Sequence, residues 1–305
     1  MHARLDKAGA GPKTNSYATG SAESPNDLAF LTGVRRRVKL DGVGPRSLTM
    51  VGTRAYVAEY FSDAVATVDL ADPAAKPVTV ALGPQQPLTP ARQGEIAFFD
   101  ATYCFQQWQS CGTCHPDARV DALNWDLLND GIGNPKNTKN MLWTHRTPPA
   151  MSTGVRESSE AAVRAGYRFI QFAQVPEEVA KATDEYLKSL TPVPSPHLVN
   201  GKLSAAAQRG EKLFQRANCA SCHPGPLFTD LKEYKVGTGT GREKEESFDT
   251  PTLVENWRTA PYLHDGRAAT MLEVLKQFNA GDKHGKTSDL TPQELADLEA
   301  YLLSL

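Results

Sequence analysis

No stretch of this 305-residue chain approaches the roughly 18 consecutive apolar residues that a membrane-spanning helix needs, so no membrane span is expected. An excess of charge of one sign is missing too. With 33 Lys and Arg against 35 Asp and Glu, the net charge is −2, which offers no basic surface for nucleic acid. The first 30 residues lack the apolar core of a secretory signal, so the sequence reads as a mature, tagged or truncated form. Cysteine is scarce, five in all. Glycine (23) and proline (21) are plentiful and mark a loop-rich protein, while 40% apolar residues can still fill a core. The length suggests about two domains.

Four of the five cysteines fall in two copies of one pentapeptide, Cys111-Gly112-Thr113-Cys114-His115 and Cys219-Ala220-Ser221-Cys222-His223. Cys-x-x-Cys-His is the attachment signature of c-type haem: two thioethers hold the porphyrin, and the adjoining His supplies a nitrogen to iron. A zinc site would need a fourth ligand, and a redox dithiol has no use for His after the second Cys. Two covalently bound haem c groups are therefore expected on Cys111, Cys114, Cys219 and Cys222, with His115 and His223 as proximal ligands. Such haem is attached outside the cytoplasmic membrane, which points to a periplasmic or cell-surface protein. Cys104 is expected to pack as a small hydrophobe.

Residues 1–85 read as an all-β segment with a disordered start. Short runs rich in Val, Thr and Tyr at 34–40, 46–51, 54–60, 64–70 and 77–82 are separated by Gly, Asp and Pro. An echo with a period near 40 residues, between Val38–Gly42 and Val78–Gly83, suits a four-stranded propeller blade. The runs at 54–60 and 64–70 resemble the YVTN family of propeller repeats. A single blade leaves open edges, so missing blades upstream or in a partner chain are expected, with a small β cap on the rest as the alternative.

The remainder repeats itself at offsets of 108 to 116 residues. Gly94-Glu95 and Gly210-Glu211 open the copies. A Thr-x-Pro-x-x-x-x-Gly turn follows in each (Thr147 to Gly154, Thr259 to Gly266), and each closes on Tyr-Leu-x-Ser-Leu at 186–190 and 301–305. The expected fold is mainly α: two tandem cytochrome c-type domains, 86–192 and 193–305, joined by the Pro-rich run at 191–196. Thr89 and Ser204 are the expected N-caps, 268–278 and 291–305 expected helices, and the Gly-rich 237–246 an expected mobile loop.

From about residue 86 the chain resembles the di-haem cytochrome c peroxidase family, which includes the di-haem maturation enzyme for methylamine dehydrogenase. The duplicated haem motif carries the resemblance, with Phe248-Asp249-Thr250-Pro251-Thr252-Leu253 and Thr259-Ala260-Pro261-Tyr262-Leu263-His264-Asp265-Gly266-Arg267. It implies one haem as electron entry and the other, with an openable sixth position, as the peroxide site, and it brings calcium between the domains as a further expected cofactor. The chain departs from the family at Ser247, where a ligating Met is expected, and at Ala150, where an amide is expected. The loop 119–133 also contains no distal His.

For the second haem His264 is the candidate sixth ligand. For the first, His145 and Met151 compete with an open site, and Glu160, with Glu157 beside it, is the candidate distal acid. His2, His197 and His284 are expected to be solvated. Trp143 and Trp257 lie in corresponding stretches, as packing residues or an electron bridge; Trp108 and Trp125 are expected pocket walls. One or two of Arg146, Arg156, Arg258 and Arg267 are expected to hold propionates.

The functional expectation is electron transfer to a redox partner protein or small electron donor; the alternative is a peroxidase- or oxidase-type enzyme acting at the first haem. A third possibility is a surface binding protein in which the propeller recognises a partner. Denatured protein should keep its haem through extraction with acidic butanone, and a pyridine haemochrome assay should count two per chain. Extraction of either would refute the attachment.

Overall fold

The computed structural model describes residues 36–126 and 133–305, which form two compact units, 1–85 and 86–305. In the first unit, β1 (Pro45–Val51), β2 (Arg54–Glu59), β3 (Ala64–Asp69) and β4 (Val78–Ala81) make an antiparallel meander in the order β1-β2-β3-β4. Alternation drives it: Ala55 and Val57 of β2 pair with Val68 and Ala66 of β3, and all four are buried on one face. Both outer strands leave apolar side chains exposed, including Leu48 and Met50 on β1 and Val78 and Val80 on β4. The expected strand at 34–40 is corrected: its described part, 36–40, is not extended into a ladder, so four strands form instead of five.

The second unit is built from two copies of one helix pair. In the first copy, α1 (Pro90–Phe99) is capped by Thr89, whose hydroxyl accepts from Arg92 N, and it buries Gly94, Ala97 and Phe98. Then come the short α2 (Ser159–Ala165) and α3 (Glu177–Ser189), with Ala180, Thr183 and Leu187 buried at the i, i+3, i+7 spacing of one helix face. The second copy repeats this with α4 (Ala205–Arg216), α5 (Met271–Lys276) and α6 (Pro292–Leu302). Capping boxes open α5 at Thr270 and Glu273 and α6 at Thr291 and Glu294, while Ser204 caps α4.

Each pair crosses at a glycine. A Cβ on Gly94 would lie 1.7 Å from the Ala182 carbonyl oxygen, and one on Gly210 would lie 2.0 Å from that of Asp297. Around each crossing an aromatic pair locks the helices, Phe98 with Tyr186 at 5.2 Å and Phe214 with Tyr301 at 5.4 Å.

The copies interlock by exchanging small hairpins. The hairpin β5 (Asn124–Trp125) with β6 (Lys136–Asn137) lies on the Thr-x-Pro turn of the second copy, where Asn137 N donates to His264 O at 2.7 Å. The hairpin β7 (Glu233–Tyr234) with β8 (Phe248–Asp249) lies on the turn of the first, where Asp249 N donates to Ser152 O at 2.9 Å.

The Gly-rich 237–246 segment is not the free loop expected. Thr238 and Glu243 are buried, and Glu243 pairs with Lys136 of the first copy at 2.7 Å. Among the described residues, no group of three or more His, Cys, Asp or Glu side chains is placed to hold a metal ion, so the calcium expectation finds no support.

Gly94→Ala and Gly210→Ala should each cost at least about 1–3 kcal/mol, because a methyl group would meet backbone that cannot rotate away. The check is a lower urea midpoint at unchanged slope; unaltered midpoints would show that the helices separate freely.

Candidate functional site

Both pentapeptides open onto one cavity of about 600 Å³, walled by apolar side chains of both copies that include Phe98, Val163, Leu187, Phe214, Val274 and Leu302. Cys111, Cys114, His115, Cys219, Cys222 and His223 all line it. Local folding sets their direction. Cys111–Cys114 forms one helical turn after Ser110, and Cys219–Ser221 a 3₁₀ turn after Asn218 in the left-handed region. Burial raises the Cys111 thiol to about 12 and the Cys219 thiol to about 11. Thiols so placed are poor redox nucleophiles at neutral pH, which argues against a dithiol function.

Each motif histidine is fixed through Nδ1. His115 donates to the Arg119 carbonyl at 3.1 Å and His223 to that of Phe228 at 2.9 Å. A carbonyl can only accept, so Nδ1 carries the proton and Nε2 is left as a lone-pair donor for a metal. Burial lowers the pKa of both rings and keeps them neutral, as ligation requires.

The residue that sequence reasoning missed is His284. It is not solvated: it lines the cavity, its ring centroid 6.4 Å from that of His223 at an interplanar angle of 43°. Two imidazoles bound on opposite sides of one metal would stand about 6.3 Å apart, from a metal–nitrogen bond of about 2.0–2.1 Å and a ring radius of about 1.1 Å on each side. Burial, with His223 nearby, pushes the His284 imidazole down to about 4, so it too is neutral. Its loop is firmly built. Asn279 Oδ1 accepts from His284 N at 2.7 Å, and Asp282 Oδ1 accepts from Thr287 N and Ser288 N at 3.0 Å each. The Asn and Asp so close before His284, Asn279 and Asp282, were the available signal.

His264 also lines the cavity, held in other contacts. Its ring stacks on Phe248 at 4.1 Å, and Nε2 stands 3.1 Å from Glu243 Oε2 without the alignment of a hydrogen bond.

Around the first motif the loop ahead of α3 does what the His284 loop does in the second copy, with other residues. Gln171 Nε2 lies 2.8 Å from Cys111 Sγ, much as a Cβ on Gly285 would lie 3.4 Å from Cys219 Sγ. Ile170, just before Gln171, and His284, just before Gly285, both line the cavity, one a hydrocarbon and the other an imidazole.

His145, expected as a ligand here, does not reach the cavity. Its Nε2 is bound to Asp184 at 3.0 Å. Burial alone would raise the Asp184 carboxyl, yet hydrogen bonds from His145 and Arg164 hold it below its usual value, so this His is structural. Met151 does line the cavity, its backbone in the left-handed region at φ 75°.

Glu157 and Glu160 are corrected as well, since neither lines the cavity. On α2 the cavity face is Ala162, Val163 and Ala165. Glu160 sits on the other side, half-exposed and 3.7 Å from Lys188. The carboxylates that do line the cavity are Asp249, neutralised by Lys139 at 2.6 Å, and Asp282, which accepts from the Thr287 and Ser288 amides.

Neither Trp108 nor Trp125 walls the cavity, and Trp108 is 67% exposed. Of the four arginines, Arg156 alone lines it. Trp143 and Trp257 are not counterparts either: the left-handed residue that opens each 3₁₀ turn is Trp143 in one copy and Glu255 in the other, so Trp257 answers to His145.

The donor set fits the haem that the motifs imply: paired thiols, oriented neutral histidines and an apolar cavity with buried polar atoms lacking protein partners at Asn140 and Asn256.

A family model described as cytochrome c matches residues 207–305. Hydrazine synthase subunit gamma of Kuenenia stuttgartiensis is 29% identical over 272 residues, covering 70% of this chain and 77% of that protein. A solved chain of K. stuttgartiensis hydrazine synthase aligns with a TM-score of 0.65 at 25% identity, covering 86% of this chain and 100% of the solved one. Methylamine utilization protein MauG of Methylorubrum extorquens is 25% identical over 303 residues, covering 75% of this chain and 82% of its own. Cytochrome-c peroxidase IdrP1 of Denitromonas iodatirespirans is 31% identical over 153 residues, covering 34% of this chain and 41% of its own. These similarities support the di-haem cytochrome c peroxidase and MauG family, and a redox protein with covalently bound haem c.

His284→Ala should remove the imidazole facing His223 and open that iron site to carbon monoxide or cyanide, seen as a new ligand-difference spectrum. His264→Ala should not. The opposite pattern would return His264 to the coordination role and remove His284 from it.

Proposed function

We propose that this chain is a di-haem c-type cytochrome of an extracytoplasmic compartment, one haem on each motif, transferring electrons between a donor and a redox partner protein. The observation that carries the reading is the opposed pair His223 and His284 at 6.4 Å. Haem c, when bound, would supply an iron centre that changes by one electron, and His223 and His284 would both hold it, which suits outer-sphere transfer. The chain's own contribution is positional. The Arg119 and Phe228 carbonyls hold the His115 and His223 rings, and the cavity walls are largely apolar. The Lys139–Asp249 pair lines the cavity without adding net charge. The four-stranded sheet of the first unit is read as one propeller-type blade, its exposed apolar outer strands suited to further blades in another chain.

A second reading, peroxide reduction at the first site, is favoured by one observation: the residues beside Cys111 that line the cavity ahead of α3 are Ile170 and Gln171, and neither brings an imidazole. Heterolysis also needs a group that moves a proton between the peroxide oxygens. Glu160 is directed away from the cavity and cannot serve without moving its helix.

Peroxide consumption by the holoprotein with a reduced small cytochrome as donor should therefore be slow, and Glu160→Gln should leave it unaltered. Electron exchange with the same cytochrome should be fast without peroxide. Rapid peroxide turnover that falls at least tenfold in Glu160→Gln would overturn the electron-transfer reading.

A further inference from the structure

The two proximal histidines hang on unlike supports. In the second copy the accepting carbonyl belongs to Phe228, an uncharged residue. In the first it belongs to Arg119, which is 5% exposed and whose guanidinium is committed to a buried carboxylate of the other copy. Arg119 Nε donates to Glu255 Oε2 at 2.5 Å and Nη2 to Glu255 Oε1 at 3.0 Å. The same guanidinium donates to the carbonyls of Asp117 and Thr191, both at 3.2 Å.

Glu255 is fully buried and takes a left-handed φ of 63°, a conformation a glutamate adopts only where its surroundings over-determine it. It also accepts from Val193 N in the linker at 2.6 Å, and its own N–H donates to the Leu305 carbonyl at 3.1 Å. Its counterpart in the first copy, Trp143, carries no charge, so the device exists in one direction only.

We propose that Glu255 is a positioning residue for the first iron site: through Arg119 it fixes the carbonyl that orients His115, so the second copy sets the redox poise of the first. This rests on the reading that His115 ligates haem iron. A carbonyl held firmly against Nδ1–H gives the imidazole more anionic character and favours the oxidised metal. Loosening Arg119 weakens that bond and raises the potential. Removing the Glu255 charge alone also leaves a buried, uncompensated guanidinium, which acts in the same direction.

The test is an EPR-monitored redox titration of the holoprotein, following the two ferric signals separately. The signal altered by His284→Ala identifies the second site. Glu255→Gln removes the charge; the double substitution Arg119→Met with Glu255→Met removes the buried pair, leaving only the part-exposed Arg258, 3.9 Å from Glu255, to solvent, and should fold even where the single variant does not. In both variants the first-site potential should rise while the second stays put. An unshifted first site in the Met pair, or equal shifts at both sites, would overturn the inference. A His284→Ala protein with both signals intact would instead count against the ligand reading. The inference would still be judged by whether one potential moves alone.

Discussion

The close crossing of the first and last helices of each copy, at Gly94 and at Gly210, is the contact on which the site depends. With no side chain between them, the helix axes approach until one backbone touches the other. Aromatic rings then close the gap on either side, Phe98 with Tyr186 and Phe214 with Tyr301. The first helix precedes the Cys-x-x-Cys-His motif in each copy, directly at Arg216 in the second and through two 3₁₀ turns, Ala101–Tyr103 and Phe105–Gln107, in the first. Each last helix turns a leucine, Leu187 or Leu302, into the cavity wall. The loop ahead of each last helix is thereby fixed beside the first cysteine of its motif. The position from which His284 faces His223 follows from that packing.

Duplication supplied two equal frames, and single-residue differences made them unequal. Trp143 answers to Glu255 in the other frame, His145 to Trp257 and Ser152 to His264. The first of these exchanges introduces a charge, and none of them lies in the crossing helices. A scaffold of this kind can shift between relaying electrons and activating a substrate by changing which loop carries an imidazole.

Much of this was legible in the sequence, because the features concerned are local. The haem motifs, the duplication and the caps at Thr89, Ser204 and Thr291 each depend on residues a few positions apart. What was not legible depends on direction in space. Glu160 aligns well by counting from the turn glycine, yet helix phase turns it outward. The polar, glycine-containing loop around His284 reads as solvated, and only the folded Asn279 and Asp282 turns show it buried against the cavity. The 237–246 run reads as mobile for the same reason, but one long-range pair, Glu243 with Lys136, ties it down.

The central claim of the proposed function is that His223 and His284 would together hold one haem iron. A low-temperature EPR spectrum of the fully ferric protein tests it most directly. The account predicts a low-spin signal with the g-values of bis-histidine haem, from one of the two haems. A spectrum with no bis-histidine component, whether all high-spin or low-spin with a sulfur ligand, would contradict it.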